Sequence, residues 1–145
     1  MKKIITHSER QTISLGKKIA KKLVGGEVLA LNGELGSGKT VLIKGIAAGL
    51  GIKKHVTSPT FVVMKIYSAK FKICHIDAYR LSSGQDLINI GVKDWLAKPN
   101  TVTVIEWAER VKNILPKDTI TIKLKLRKNK NERTITILSA KTKPE

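Results

Sequence analysis

Residues 33–40 read Gly33-Glu34-Leu35-Gly36-Ser37-Gly38-Lys39-Thr40. This stretch matches the P-loop pattern G-x-x-x-x-G-K-[ST] at every fixed position. In such a loop, successive backbone N–H groups turn inward around phosphates, and the following helix presents its N-terminus to the same negative charge. We expect Lys39 to reach the β and γ phosphates and the Thr40 hydroxyl to bind magnesium. The motif therefore predicts a site for a nucleoside triphosphate with Mg²⁺.

The segments on either side of the loop agree with this prediction. Residues 27–32 form a short apolar run, which is typical of a central strand buried on both faces. Residues 39–50 resume a helical pattern that stops at glycines. Strand, glycine loop and helix, in this order, are what a P-loop requires. The alternative is a glycine-rich strand-to-helix turn that contains Lys-Thr by chance.

The remaining hydrophobic pattern predicts an α/β fold. Residues 12–23 place apolar side chains on one side at helical spacing, which predicts an amphipathic helix. Further elements are predicted as strands at 61–67, 70–76 and 101–105, helices at 84–96 and 107–115, a hairpin of 119–126 with 133–138, and a frayed tail at 141–145. We expect a single P-loop domain over residues 1–145, with a mainly parallel sheet flanked by helices and a C-terminal antiparallel hairpin.

Composition limits the class of protein. The 145 residues are 41% apolar with six aromatic side chains, so one mainly aliphatic core is expected. The single cysteine, Cys74, cannot form an internal disulfide, and no apolar run approaches the roughly 18 residues of a membrane span. We therefore expect a soluble protein of the reducing cytoplasm. The net charge of +17 would attract RNA, nucleotides or acidic proteins without choosing among them, and a compositional bias of the genome toward lysine codons explains the charge equally well.

Two carboxylates follow predicted strands. Asp77 comes after residues 71–76, and Glu106 comes after residues 101–105. Ligands bind at the carboxyl ends of the strands in open α/β sheets, so both side chains are expected at the phosphate site. One would hold magnesium, directly or through water, and the other would orient or polarise the attacking water or the substrate. A helix cap or a surface carboxylate is the alternative for each.

Several strings together identify a family resemblance. The P-loop is followed by Ser58-Pro59-Thr60, by His75-Ile76-Asp77-Ala78-Tyr79-Arg80-Leu81 and by Ile105-Glu106-Trp107. This combination closely resembles the TsaE family, also called YjeE. Its members are small bacterial P-loop ATPases required for threonylcarbamoyladenosine in tRNA. The resemblance runs in order over about residues 12–110.

The resemblance implies roles for individual residues. It implies that Lys39 and Thr40 keep their P-loop roles, that Glu106 joins Thr40 on magnesium and that Asp77 is needed for hydrolysis. Thr60, with Ser58, would belong to a switch-like segment near the γ-phosphate; a turn stiffened by proline is the alternative. The full set of implied nucleotide contacts is Glu9, Thr12, Gly33, Glu34, Gly36, Ser37, Gly38, Lys39, Thr40, Val41 and Arg133. For the last of these, a solvated strand residue is the favoured interpretation.

The resemblance also implies an activity and partners. The activity is slow hydrolysis of ATP to ADP and phosphate, weak in isolation and increased by partners. The implied partners are the TsaB and TsaD proteins, whose complex transfers the threonylcarbamoyl group to the adenosine that follows the anticodon. Contact with tRNA is expected through that complex, and direct contact stays open. The alternative classes are a small-molecule or nucleoside kinase, which normally needs an arginine-rich lid, and an RNA-binding module with a regulatory nucleotide.

Four other side chains have expected roles outside the P-loop and the two carboxylates. His75 is expected to make a buried hydrogen bond, with a place in the site as the alternative. Cys74 is expected in the core, because no cluster of Cys and His supports a zinc site. Trp107 either shields the site from solvent or touches the nucleotide. Arg80 pairs with one of the two carboxylates or binds a phosphate, and its planar fork suits both.

Overall fold

The structure is a computed structural model that describes residues 1–57, 59 and 63–139. The strands are β1 (Lys2–Thr6), β2 (Val28–Gly33), β3 (Met64–Ser68), β4 (Lys72–Asp77), β5 (Thr101–Glu106), β6 (Ile120–Leu126) and β7 (Arg133–Ser139). The α-helices are α1 (Glu9–Lys21), α2 (Lys39–Gly49) and α3 (Gly84–Asn89), and short 3₁₀ turns cover Val92–Asp94, Ala108–Arg110 and Lys112–Ile114. Within these ranges no helix combines the length and apolar character needed to cross a bilayer.

All seven strands belong to one sheet, in the order β1-β7-β6-β2-β5-β4-β3. The four central strands, β6, β2, β5 and β4, are parallel to one another. Antiparallel neighbours lie outside them: β7 and β1 on one side, β3 on the other. The predicted parallel centre and the C-terminal hairpin of β6 with β7 are confirmed.

The sheet is covered on both faces. On one face, α1 and α2 pack against a cluster that includes Leu29, Leu31 and Val104. On the other face, α3 and the 3₁₀ turns cover a second cluster that includes Ala30 and Ile105. Neighbouring residues of β2 and β5 thus point into opposite clusters, which explains why both strands read as continuous apolar runs. The result is a three-layer α/β/α arrangement.

Two predicted helices are wrong in their extent. The helix expected at 84–96 ends with α3 at Asn89, because Gly91 has φ +93° and so leaves the helical region. The helix expected at 107–115 is replaced by two 3₁₀ turns, Ala108–Arg110 and Lys112–Ile114, and Trp107 before them has φ +58°. A left-handed residue at the first position prevents a regular α-helix from starting there.

The N-terminal strand β1 was not predicted from the hydrophobic pattern. β1 pairs antiparallel with β7 along its whole length, with Lys2 opposite Ile137 and Thr6 opposite Arg133. It is an edge strand whose side chains are largely exposed, so it carries little of the apolar alternation that predicts a strand. Of the predicted strand at 61–67, the described part begins at Met64; residues 61–62 and the tail predicted at 141–145 lie outside the described residues.

Candidate functional site

The glycine loop connects β2 to α2, as predicted. Gly38, the residue before the helix, has φ +99°, a conformation that favours glycine. Gly33 has no room for a side chain, since a Cβ there would lie 2.5 Å from Ser37 Oγ and 2.7 Å from the carbonyl oxygen of Leu124. Ser37 is buried, and its Oγ has no hydrogen-bond partner among the described residues. The motif glycines are therefore required by the path of the backbone.

Lys39 lies at the centre of the loop. Only 5% of this residue is exposed, and its Nζ donates hydrogen bonds to the backbone carbonyls of Gly33 and, at 3.1 Å, Glu34. Nζ also lies 4.2 Å from the centroid of a Trp107 ring. Burial lowers the pKa of the Lys39 ammonium, while the neighbouring carboxylates, with Glu106 first among them, act in the opposite direction. The loop thus encloses a cation that is shielded from water.

The two predicted carboxylates lie side by side at the carboxyl edge of the sheet. Asp77 and Glu106 are opposite each other in the register of β4 and β5, and both are buried. Glu106 Oε1 accepts a hydrogen bond from Thr40 Oγ1 at 3.2 Å, while Oε2 accepts one from His75 Nε2 at 2.9 Å. Asp77 Oδ1 accepts from the backbone N–H of Tyr79 at 2.9 Å. The structure therefore brings both carboxylates to the start of α2.

A cavity of about 550 Å³ opens over these groups. The predicted site residues that line it are Glu9, Thr12, Gly36, Gly38, Lys39, Thr40, Val41, Asp77, Glu106 and Arg133. A larger cavity of about 930 Å³ lies between α1 and the strands β1, β6 and β7, and its lining is mainly apolar apart from lysines. It includes none of the predicted site residues. The smaller cavity is therefore the candidate site.

Three of the predicted residues that the structure describes do not line this cavity. Gly33 and Glu34 contribute their carbonyls to Lys39 instead, and Ser37 is packed inside the loop, where its N–H donates to the Glu34 carbonyl at 3.0 Å. Thr60, with Ser58, lies outside the described residues. The predicted contacts of these residues with phosphate stay predictions.

Arg133 belongs to the site region although it lies far from the loop in sequence. It is the first residue of β7, and its Nη2 donates to the Gly36 carbonyl at 3.3 Å. Its Nη1 donates to the carbonyls of Lys130 at 2.5 Å and Glu132 at 3.0 Å, which ties the hairpin turn to the glycine loop. The favoured interpretation as a solvated strand residue is therefore incomplete, because its guanidinium contacts the loop and lines the cavity.

Aromatic side chains form one wall of the cavity. Trp107 follows Glu106 directly after β5 and has a left-handed backbone conformation. The rings of Trp107 and Tyr79 lie 4.9 Å apart, and both residues line the cavity. Tyr79, Ser8, Leu35 and Asn131 also line it, and none of them was predicted as a site residue. Leu35 lies within the P-loop pattern and Tyr79 within the string from His75 to Leu81, whereas Ser8 and Asn131 belong to neither motif.

The oxygen donors at this edge of the sheet suit a magnesium ion that is also bound by phosphate. No group of three or more His, Cys, Asp or Glu side chains that could hold a metal ion occurs among the described residues. Thr40 and Glu106 nevertheless offer a hydroxyl and a carboxylate, the hard oxygen donors that Mg²⁺ prefers. Mg²⁺ usually binds through one or two carboxylates together with waters and substrate phosphates. The chemistry of this donor pair thus suits an ion that arrives with a phosphate ligand.

Comparison with known proteins gives a consistent family match. The sequence model of the family described as threonylcarbamoyl adenosine biosynthesis protein TsaE matches residues 6–135. The chain is 40% identical to the tRNA threonylcarbamoyladenosine biosynthesis protein TsaE of Treponema pallidum over 118 residues, covering 81% of this chain and 87% of the relative. It is 34% identical to the protein of the same name from Bacillus subtilis, covering 81% of this chain and 73% of that relative. The crystal structure of B. subtilis YdiB superposes with a TM-score of 0.82 at 31% identity, covering 95% of this chain and 84% of that one.

Proposed function

The chain belongs to the TsaE family of tRNA threonylcarbamoyladenosine biosynthesis, and from this premise we propose that it binds ATP with Mg²⁺ and hydrolyses ATP slowly to ADP and phosphate. One observation carries the proposal. The two side chains that carry P-loop chemistry, a buried lysine and a hydroxyl at the start of a helix, share one cavity with two buried carboxylates from neighbouring parallel strands. This arrangement can neutralise phosphate charge, hold a metal ion and direct a water molecule.

The phosphate-binding role rests on Lys39 and the loop. The Lys39 ammonium now donates to the carbonyls of Gly33 and Glu34, and triphosphate oxygens would replace these neutral acceptors with charged ones. The negative charge of the phosphate oxygens attracts the ammonium more strongly than neutral carbonyls do, and burial weakens the screening by water, so this exchange favours binding. The N-terminus of α2 and the loop N–H groups add a positive electrostatic potential at the same place. Arg133 would add a second cation at the cavity wall.

The two carboxylates have different proposed roles, one in metal binding and one in orienting water. Glu106, beside the Thr40 hydroxyl, would hold Mg²⁺, and the ion supplies charge neutralisation of the β and γ phosphates. Asp77, whose Oδ1 is oriented by the Tyr79 N–H, would orient or polarise the attacking water. Attack forms a bond from the water oxygen to the γ phosphorus and breaks the bond from that phosphorus to the oxygen it shares with the β phosphorus. ADP leaves with the electron pair of the broken bond, one hydrogen of the water stays on the released phosphate, and the other is lost to solvent as a proton. Thr60 would sense the γ-phosphate.

We further propose that the protein acts in the cytoplasm through a complex of TsaB and TsaD. Support comes from the names of the relatives, which assign them to the same tRNA modification. Hydrolysis would drive or reset that complex, and the threonylcarbamoyl transfer itself would take place on the partners. The tRNA would be reached through the complex, and the net charge of +17 also permits direct contact.

The decisive experiment measures phosphate release from Mg-ATP by this protein alone, then with TsaB, TsaD and tRNA. The matched control is Asp77→Asn, which keeps the side-chain shape and removes the carboxylate charge. We expect slow release alone, stimulation by the partners, and neither in the variant. Tight ATP binding without release under any condition would refute the ATPase proposal. Transfer of phosphate to a metabolite instead of water would indicate a kinase.

A further inference from the structure

The carboxylate of Glu106 is held on both of its oxygens by different elements of the fold. Thr40, at the start of α2, donates to Oε1, and His75, in the middle of β4, donates to Oε2. His75 is fully buried, and Glu106 is 3% exposed. The contact crosses from β4 to β5, and in the register His75 is opposite Val104, two residues before Glu106. His75 therefore reaches diagonally along the sheet to the carboxylate.

The chemistry of this contact has a definite direction. An ionised carboxylate only accepts hydrogen bonds, so Nε2 of His75 carries the hydrogen that joins the two residues. The other ring nitrogen, Nδ1, is buried and has no hydrogen-bond partner among the described residues. A buried polar atom without a partner costs stability. Since an apolar side chain would avoid that cost at this position, packing alone does not account for a histidine here.

We propose that His75 is a positioning residue that orients Glu106 for Mg²⁺. This inference rests on the proposed function, because it assigns the part of the site that makes the metal ligand effective. The Glu106 carboxylate is also attracted to the Lys39 ammonium, and among the carboxylates it has the largest effect on the pKa of Lys39. By holding Oε2, His75 keeps the carboxylate directed along the sheet, with Oε1 beside Thr40. Lys39 then stays available for phosphate, and Glu106 stays available for the metal.

The test compares two substitutions of nearly equal shape. His75→Gln keeps an N–H group at a similar reach, whereas His75→Met has a similar length and no donor. The binding affinity of each variant for ATPγS is measured by calorimetry with saturating Mg²⁺ and again with EDTA. The readout is the ratio of the two affinities, which we call the magnesium gain. Loss of a group that orients a metal ligand typically costs about tenfold to a hundredfold in metal affinity or activity.

We expect His75→Met to lower the magnesium gain by about tenfold or more while the affinity in EDTA stays close to that of the parent. His75→Gln should retain most of the gain. A matched control is Thr103→Val in β5, which removes a buried hydroxyl that, like His75 Nδ1, has no hydrogen-bond partner among the described residues. Its magnesium gain should be unchanged. Thermal unfolding verifies that each variant is folded, and His75→Phe replaces the methionine variant if that one is not.

The outcomes separate the two proposals. A parent protein that binds ATPγS with no magnesium gain would overturn the proposed magnesium site, together with the role of His75, and a parent that binds no ATPγS would overturn the nucleotide site itself. A parent with a gain that survives in His75→Met would overturn only the positioning role. An equal loss in the glutamine and methionine variants would overturn it too, because the N–H group would then be irrelevant. Lower melting temperatures with unchanged magnesium gain would show that His75 serves stability alone.

Discussion

Replacing Lys39 with methionine tests the proposed phosphate site most directly. Methionine keeps a long unbranched side chain that can fill the buried space next to Trp107, so the substitution removes mainly the ammonium group. In the free protein, Nζ donates to two carbonyls, and these bonds must be exchanged for bonds to phosphate oxygens. The net loss is therefore that of about one hydrogen bond to a charged group, about 1.5–3 kcal/mol. This corresponds to about 10-fold to 150-fold weaker ATP binding.

The assay is calorimetric titration of the protein with ATPγS in the presence of Mg²⁺, which avoids turnover. Lys44→Met is the matched control, because Lys44 lies in the same helix and the change in net charge is identical, yet it does not line the cavity. We expect this control to bind like the parent. Affinity of Lys39→Met within about twofold of the control would refute the assignment of Lys39 to the phosphates. Equal weakening in both variants would mean that net charge, and not the loop, attracts the nucleotide.

Four further predictions address other parts of the molecule. Asp77→Ala should leave ATP bound but lower its hydrolysis by about a hundredfold or more, as measured by phosphate release, and full hydrolysis by this variant would move the catalytic role elsewhere. Glu106→Ala should abolish the dependence of ATP binding on Mg²⁺; an unchanged metal titration would contradict its assignment as a ligand. Gly33→Ala should lower the stability by about 1–3 kcal/mol in urea unfolding, because the new Cβ would lie 2.5 Å from Ser37 Oγ, and an unchanged midpoint would show that the loop adjusts freely. Cys74 is fully buried, and burial raises the pKa of its thiol to about 12, so a thiol reagent should label it only after unfolding. For the same reason, stability should fall as the pH rises above about 9, where the unfolded thiol ionises and the folded one does not, whereas rapid labelling of the native protein would contradict the buried placement.

The sequence predicted most accurately the helices and strands whose geometry depends on residues nearby in the chain. The helix expected from Lys39 to Leu50 is observed as Lys39–Gly49, and the hairpin strands lie within a residue or so of the predicted ones. The failures have local causes that the hydrophobic pattern does not record. Gly91 ends α3 early, and Trp107 takes a left-handed conformation that a bulky aromatic rarely adopts. β1 was not predicted because its stability comes from pairing with β7, at the other end of the chain.

Residues close together in the chain already specify the chemistry at the carboxyl end of β2. Glycines at fixed spacing, followed by Lys39 and Thr40 at the start of a helix, specify a loop whose N–H groups and cation suit phosphate, and this requires only contacts within a few residues. The sequence also indicated that Asp77 and Glu106 end buried strands. The folded structure was needed to show that these strands are neighbours in register, that His75 and Thr40 hold the two oxygens of Glu106, and that Arg133 meets the glycine loop. Periodicity reports which side chains are buried, whereas strand order and register depend on packing between segments that are distant in the chain.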